Sequence, residues 1–461
     1  MNVPLPLSAA AAWGAAWGAA LGALRTRDAA LHLLLKNRAL EAAGFVPLPG
    51  AGHGEVLGSW MPGAAGALFF GLSLGLGAGT LLGLWVRVTR ALPSRAGGLV
   101  PWAALAVPLW AAAAGDLLLA AALAAVAAGA LATQLPGRVA PARQGALRAL
   151  VLVSVALGFF PWATAPEGPF THLRDRHLLD TAAGRAVNEF YYRWTLYPAE
   201  VLKPLAARSQ PTVAAPVPLA AGELERFCRD ALGWGVLCVD DPRGADVHLT
   251  SSGPGLELAR GDAGVAWPRN PSAQADAWKA LSSRADRARA LRQATYWALF
   301  LGCPLALAWG FSSLALAAGA LLGKGHRGTL ASLAVAGLLA ASLGAAGRPD
   351  PSLSQMRVRL GGPGTGAPEA DVIRAALASP SAVERFYGAR AAGRARVEAH
   401  DLVEALSDPV VNVRYAAAEA LGRTGGDRSR EALLELLRSP EEWYVKERAY
   451  AALWRLGWRG R

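Results

Sequence analysis

Acidic residues are missing where the chain is most apolar. From residue 294 to 347 there is no Asp or Glu, and the only formally basic residues are Lys324 and Arg327. Charge is scarce throughout, at 17%, against about 25% in soluble domains, while 53% of the residues are hydrophobic. Cysteine is rare as well. There are three, none in a Cys-x-x-Cys or Cys/His metal spacing, so no metal and no cofactor is expected. No basic stretch precedes the first apolar run, which argues against a cleaved signal peptide. No apolar run carries an ionisable residue in its middle, and such groups usually line the path of ion- and proton-coupled carriers. Pro108 and Pro304 therefore read as kinks rather than as the broken helices of a transporter.

What is present is a set of apolar runs of about 20 residues, the length that crosses a bilayer. Seven are expected, at 5–24, 64–86, 98–114, 117–135, 149–165, 295–322 and 329–347. The short loops between them are basic. Arg87, Arg90 and Arg95 fill one, Arg138, Arg143 and Arg148 a second, and Lys324, His326 and Arg327 a third. Asp116 lies at the opposite end of its hairpin. The net charge of +12 is concentrated in these apolar regions, which reads as a topology signal and not as a nucleic-acid surface. The basic loops are then cytoplasmic, and residues 166–293 and 348–461 lie outside the cytoplasm. Segment 25–63, with Arg25, Arg27, Lys36 and Arg38, sits awkwardly with that orientation.

Two runs carry glycine at every fourth position: Gly14, Gly18 and Gly22, then Gly71, Gly75, Gly79 and Gly83. A stripe of this kind lets another backbone approach closely in lipid. The fragment Gly75-x-Gly77-x-Gly79 resembles part of a nucleotide loop, but it lies in an apolar helix without a following Lys, so helix packing is the better reading.

The polar region 166–293 opens with His172, Asp175, His177 and Glu200, a candidate polar site because His and carboxylates suit proton transfer. The plainer reading is solvated or interfacial side chains. Phe190, Trp194 and Tyr197 share one helical face, expected at the headgroups. A Pro-rich linker follows at 204–218. Helix 222–232, strands 235–240, 246–250, 256–260 and 264–267, and helix 273–292 then describe a small α/β domain. Cys228 and Cys238 fall in neighbouring elements of a domain placed in an oxidising compartment, so a disulfide between them is expected, with two buried thiols as the alternative. Cys303 reads as inert packing.

Beyond a Gly/Pro linker at 361–368 the chain repeats itself. Ser379-Pro380, Asp408-Pro409 and Ser439-Pro440 each open a helical pattern, with the polar residue as cap and Pro as first helical residue. The stretch Asp408-Pro-Val-Val-Asn-Val-Arg-Tyr-Ala-Ala-Ala-Glu-Ala-Leu-Gly422 resembles the HEAT-like repeat family in its short form. Trp443–Gly457 is similar but more aromatic, and Ser379–Gly393 departs most. The resemblance covers about 95 residues. It implies stacked helix pairs, a protein partner, and a scaffolding role for Asp408 and Arg414 between neighbouring repeats. About two and a half units are visible, fewer than the three or so that bury a continuous core, so the array is expected to lean on the polar domain, the membrane or a partner. The whole chain also resembles uncharacterised bacterial multi-pass membrane proteins with such repeats, which implies a bacterial inner membrane but no activity.

The expected fold is mainly α: a polytopic membrane protein of about seven spans with a small α/β domain and a C-terminal HEAT-like α-solenoid. The expected divisions are 1–165 (five spans), 166–293 (the α/β domain with its aromatic helix), 294–347 (two spans), 348–366 (linker) and 367–461 (repeats). The expected function is a membrane-anchored scaffold or adaptor that binds protein in the cell envelope. Its partners are the lipid bilayer and a protein, with no nucleic acid. The alternative is a membrane enzyme or transporter with its polar site in 171–200.

Overall fold

The computed structural model describes residues 5–90, 100–133, 142–164, 168–216, 220–252, 255–268, 270–323, 325–348, 350–361, 368–395 and 397–460. Arg95, Arg138, Lys324 and most of the 361–368 linker lie outside these residues. The protein is mainly helical, with a small mixed sheet and a C-terminal helical array. The chain divides into two compact units. One comprises Met1–Arg27, Pro62–His172 and Arg287–Pro349; the other comprises Asp28–Met61, Leu173–Asp286 and Asp350–Arg461. The second unit thus claims Asp28–Met61, which the sequence reading kept within 1–165. The reason is local: the first helix runs unbroken from Leu5 to Ala42, and its last turns carry Lys36, Ala39 and Leu40 into the interior of that unit.

Among the described residues four helices are long and apolar enough to cross a membrane: Leu7–Ala42, Met61–Thr89, Arg289–Leu322 and His326–Arg359. This corrects the expected seven. The runs read at 98–114, 117–135 and 149–165 form shorter apolar helices, Ala103–Ala113, Leu117–Ala132 and Ala146–Trp162.

Glycine sets how closely these helices approach. A Cβ added at Gly75 would overlap the Gly14 carbonyl oxygen and lie 2.9 Å from the Gly18 Cα. Gly79 meets the Ala10 carbonyl, Gly71 meets Ala15 and Ala19, and Gly83 meets Leu7 and Ala10. Gly77 uses the other face of its helix, against Ala298 and Gly302. Two indoles donate to helix carbonyls, Trp13 to Ala125 at 2.9 Å and Trp162 to Leu343 at 2.9 Å. Asp116, buried at the turn before Leu117–Thr133, accepts the Leu119 amide at 3.0 Å and pairs with Arg25.

In the second unit a five-stranded sheet has the order β2-β1-β3-β4-β5, with β1 Thr212–Ala214, β2 Leu237–Cys238, β3 Val247–Ser252, β4 Gly255–Arg260 and β5 Ala263–Ala266. β1 pairs in parallel with β2 and β3, and the last three strands form an antiparallel meander. β1 corrects the expected linker at 204–218. The four residues between Pro211 and Pro216 are too few to show an alternating pattern, yet three of them supply an inner strand whose Val213 is buried in the core with Val247, Leu249 and Leu258. The expected helix 273–292 is two, Pro271–Arg284 and Arg289–Trp297.

The C-terminal array has three helix pairs. The first helices are Ala370–Leu377, Ala399–Glu404 and Asp427–Arg438; the second helices are Ala382–Ala395, Val411–Thr424 and Trp443–Arg455. Each Ser-Pro or Asp-Pro lies in the turn between the two members of a pair, so the second helices start two or three residues later than expected. The side chains at these turns act as turn acceptors: Ser379 takes the Ser381 amide at 3.1 Å and Asp408 the Val410 amide at 2.8 Å. Small residues let the second helices stack closely, with Gly393 against Ala420 and Gly422 against Ala452.

Candidate interaction surface

The array is held by guanidinium–carboxylate pairs that step from one repeat to the next. Arg385 forms a two-point contact with Asp408, at 2.6 and 3.2 Å. Arg414 forms the same contact with Glu441, at 2.8 and 3.0 Å, and also donates to the Asp408 carbonyl at 2.7 Å. Planar two-point pairing fixes direction as well as distance, so each pair sets the rotation of one repeat on the next. Arg385 holds in the first repeat the place that Arg414 holds in the second, although the sequence around it departs most from the family pattern.

One side of the second helices is covered by the chain itself. Helix Ala182–Leu202, capped at its start by Thr181, lies along them. Asn188 donates to Asn412 at 2.5 Å. The Tyr192 and Tyr444 rings lie 5.1 Å apart. The Trp443 indole donates to the Arg193 carbonyl at 3.2 Å, and Arg193 pairs with Glu442. Farther on, Lys203 bridges Glu200 at 2.9 Å and Glu447 at 3.3 Å. Burial alone lowers the Lys203 pKa, but Glu200 and Glu447 raise it overall. The polar domain, one of the supports expected for the short array, is in contact with it. The expected face Phe190, Trp194, Tyr197 is not a single exposed face: Tyr197 is buried, Trp194 half-buried and Phe190 exposed.

The four candidate polar residues are placed as follows. His172 belongs to the first unit, where it is buried with Nε2 3.2 Å from the Ala346 carbonyl and its ring edge-on to Trp162. Asp175 is fully buried between Arg174 at 2.6 Å, Arg357 at 2.6 Å and the Tyr387 hydroxyl at 2.8 Å. His177 is half-buried, and its carbonyl accepts the Thr181 hydroxyl at 3.1 Å. Glu200 lines a cavity of about 20 Å³ with Lys36, Ser209, Gln210, Trp443 and Glu447, room for about one water. The Asp175 cluster ties Arg357 and the first repeat's Tyr387 to the segment 174–178.

A second buried carboxylate escaped the sequence reading. Asp246, just before β3, meets Lys36 at 3.1 Å, His32 at 3.2 Å and Arg208, and accepts the Thr212 amide at 3.2 Å. Burial pushes its pKa up, but Lys36 first, then the His32 bond and Arg208, hold it well below the usual carboxylate range. The only signal was the oddly placed Lys36, which had no visible partner because Asp246 lies 210 residues away in sequence. Cys228 and Cys238 join helix Ala221–Gly233 to β2 by a disulfide, with Cα atoms 5.6 Å apart. Among the described residues no cluster of His, Cys, Asp or Glu is arranged to hold a metal.

Residues 370–454 match the HEAT repeats family. The resemblance read from Asp408–Gly422 is thus a family match over three helix pairs. No curated protein and no solved structure matches the chain.

Proposed function

We propose that the protein is a membrane-anchored scaffold that uses its HEAT array to bind a protein in the cell envelope. The array carries this reading, because HEAT repeats generally mediate protein–protein contact. The aromatic helix covers part of the second helices, so a partner reaches the exposed side of the first helices, around Arg374, His400 and Glu431.

Anchoring rests on the four long apolar helices and on chain parity. Residues 28–61, 173–286 and 350–461 share one compact unit, so the chain crosses the bilayer an even number of times in 62–172 and again in 287–349. The latter has two long candidates, whereas 62–172 has one, so at least one shorter helix crosses too. The Arg25–Asp116 pair brings the end of the first span to the turn of the 106–133 hairpin. The awkward charge of segment 25–63 is also lightened, since Arg25 and Lys36 both have carboxylate partners. With basic loops inside and a disulfide suited to an oxidising compartment, the second unit lies outside the cytoplasm of a bacterial inner membrane.

Two measurements test this. Alkaline phosphatase fused after Arg461 is expected to be active and a fluorescent protein there dark; the reverse overturns the orientation. Photo-crosslinkers at Arg374, His400 and Glu431 of the full chain are expected to capture one discrete protein in cells. No adduct from any of the three sinks the scaffold reading.

A further inference from the structure

We infer that the outward face of helix Ala182–Leu202 lies in the headgroup region of the bilayer, so that the helix is a plate between the HEAT array and lipid. This rests on the membrane reading above. The two sides of the helix are chemically distinct. Asn188, Tyr192 and Leu196 turn inward, and Asn188 and Tyr192 meet the second helices of the array directly. Val187, Phe190 and Tyr191 point away, 59%, 55% and 53% exposed, with half-buried Trp194 completing an i, i+3, i+4, i+7 stripe. The charges of the helix lie off this stripe: Arg185 donates to the Leu179 carbonyl, Arg193 pairs with Glu442, and Glu189 is exposed on another side. The contacts with Asn412, Trp443 and Tyr444 hold the helix in this rotation, so the stripe does not turn inward.

Its composition and size identify the occupant. The rings of Phe, Tyr and Trp favour the membrane–water boundary over either bulk phase, and a two-faced helix lies along that boundary with its apolar side down. The three exposed side chains offer roughly 300 Å², well below the roughly 800 Å² per partner of a stable protein complex. A lipid surface needs no more than the stripe. The same side-chain type marks the places where the chain passes between its units. Trp60, Phe170, Tyr296 and Trp297 are all exposed and lie within ten residues of three of the five passage points. The stripe begins 15 residues beyond one of them.

Site-directed spin labels decide the matter. In the full chain with Cys303→Ser, whose remaining cysteines are disulfide-bonded, single Cys variants at Phe190, Glu189 and Leu314 are labelled in phosphatidylcholine/phosphatidylglycerol nanodiscs. The expected ratio of oxygen to nickel-chelate accessibility is lowest at 189, several-fold higher at 190, and highest at 314 on the apolar helix Cys303–Leu322. A label at 190 as aqueous as that at 189, with 314 deep in lipid, overturns the inference and leaves the membrane reading standing. An aqueous label at 314 overturns both. Spin–spin broadening at 190 that disappears on dilution with unlabelled protein assigns the stripe to a second copy, and shielding from both reagents assigns it to a protein contact. Either result also overturns the inference.

Discussion

Both the apolar unit and the HEAT array stack helices through small residues, but they fix the stack differently. In the apolar unit, Gly14, Gly18, Gly75 and Gly79 bring two backbones together with nothing between them. In the bilayer proposed above, lipid is as apolar as a leucine side chain, so these helices would gain little by hiding from it, and close backbone contact would supply the attraction. In the array, Gly393 and Gly422 allow a similar approach to Ala420 and Ala452, but water already drives the apolar faces together. There the small residues set only the spacing, and Arg385–Asp408 and Arg414–Glu441 set the rotation. The same residue type thus holds the helices together in one region and only spaces them in the other.

The sharpest way to break this comparison is bulk on the apolar glycines. Gly75→Leu is expected to cost more than about 4 kcal/mol, the range of severe overpacking, because its neighbours are backbone atoms that cannot turn aside. Leu72→Ala, at an exposed site of the same helix, is expected to cost little. Equal heat-induced loss of folded protein in detergent for the two variants would remove the glycine contact as the holding force.

Asp246→Asn probes charge in the second unit. It leaves Lys36 and Arg208 buried without their carboxylate and is expected to cost about 3–5 kcal/mol, read as earlier proteolysis of the unit in rising urea. The pKa of Asp246 is depressed in the folded state. Its stabilisation is therefore present above the unfolded carboxyl value near about 4 and is lost as pH falls through the folded value. The variant should lack that acid-induced loss; an unchanged acid profile means that the cluster does not hold the unit.

Reduction tests a third kind of link. Cys228 and Cys238 close a loop of sequence separation 10, and opening it is expected to cost about 3 kcal/mol, with the loss confined to the sheet. Thiol labelling of the denatured, unreduced chain should mark Cys303 alone. Three labelled cysteines contradict the link.

The smallest effect is expected from His53. Burial lowers its pKa from 6.5, Glu442 opposes this and Lys446 adds to it. The folded state therefore binds fewer protons than the unfolded one, and this contribution is intact above 6.5 and declines as pH falls below it. His53→Gln should flatten the fall in stability on mild acidification, while retention of the full slope removes His53 as its source.

Sequence alone determined what depends on local pattern. Apolar runs marked the four long helices, a four-residue spacing marked the glycines that meet the first helix, and Asp408–Gly422 identified the repeats, because periodicity is written in neighbouring residues. The candidate site was less legible. The sequence placed His172, Asp175, His177 and Glu200 near one another but could not show that Asp175 meets Arg357 and Tyr387, or that Glu200 meets Lys203. Tertiary structure alone decided that β1 lies inside the sheet, that Lys36 and Arg208 meet Asp246, and that the aromatic helix lies on the array through Asn188–Asn412 and Tyr192–Tyr444. Those side-chain pairs are separated by 38 to 252 residues, so only the folded chain brings their groups together.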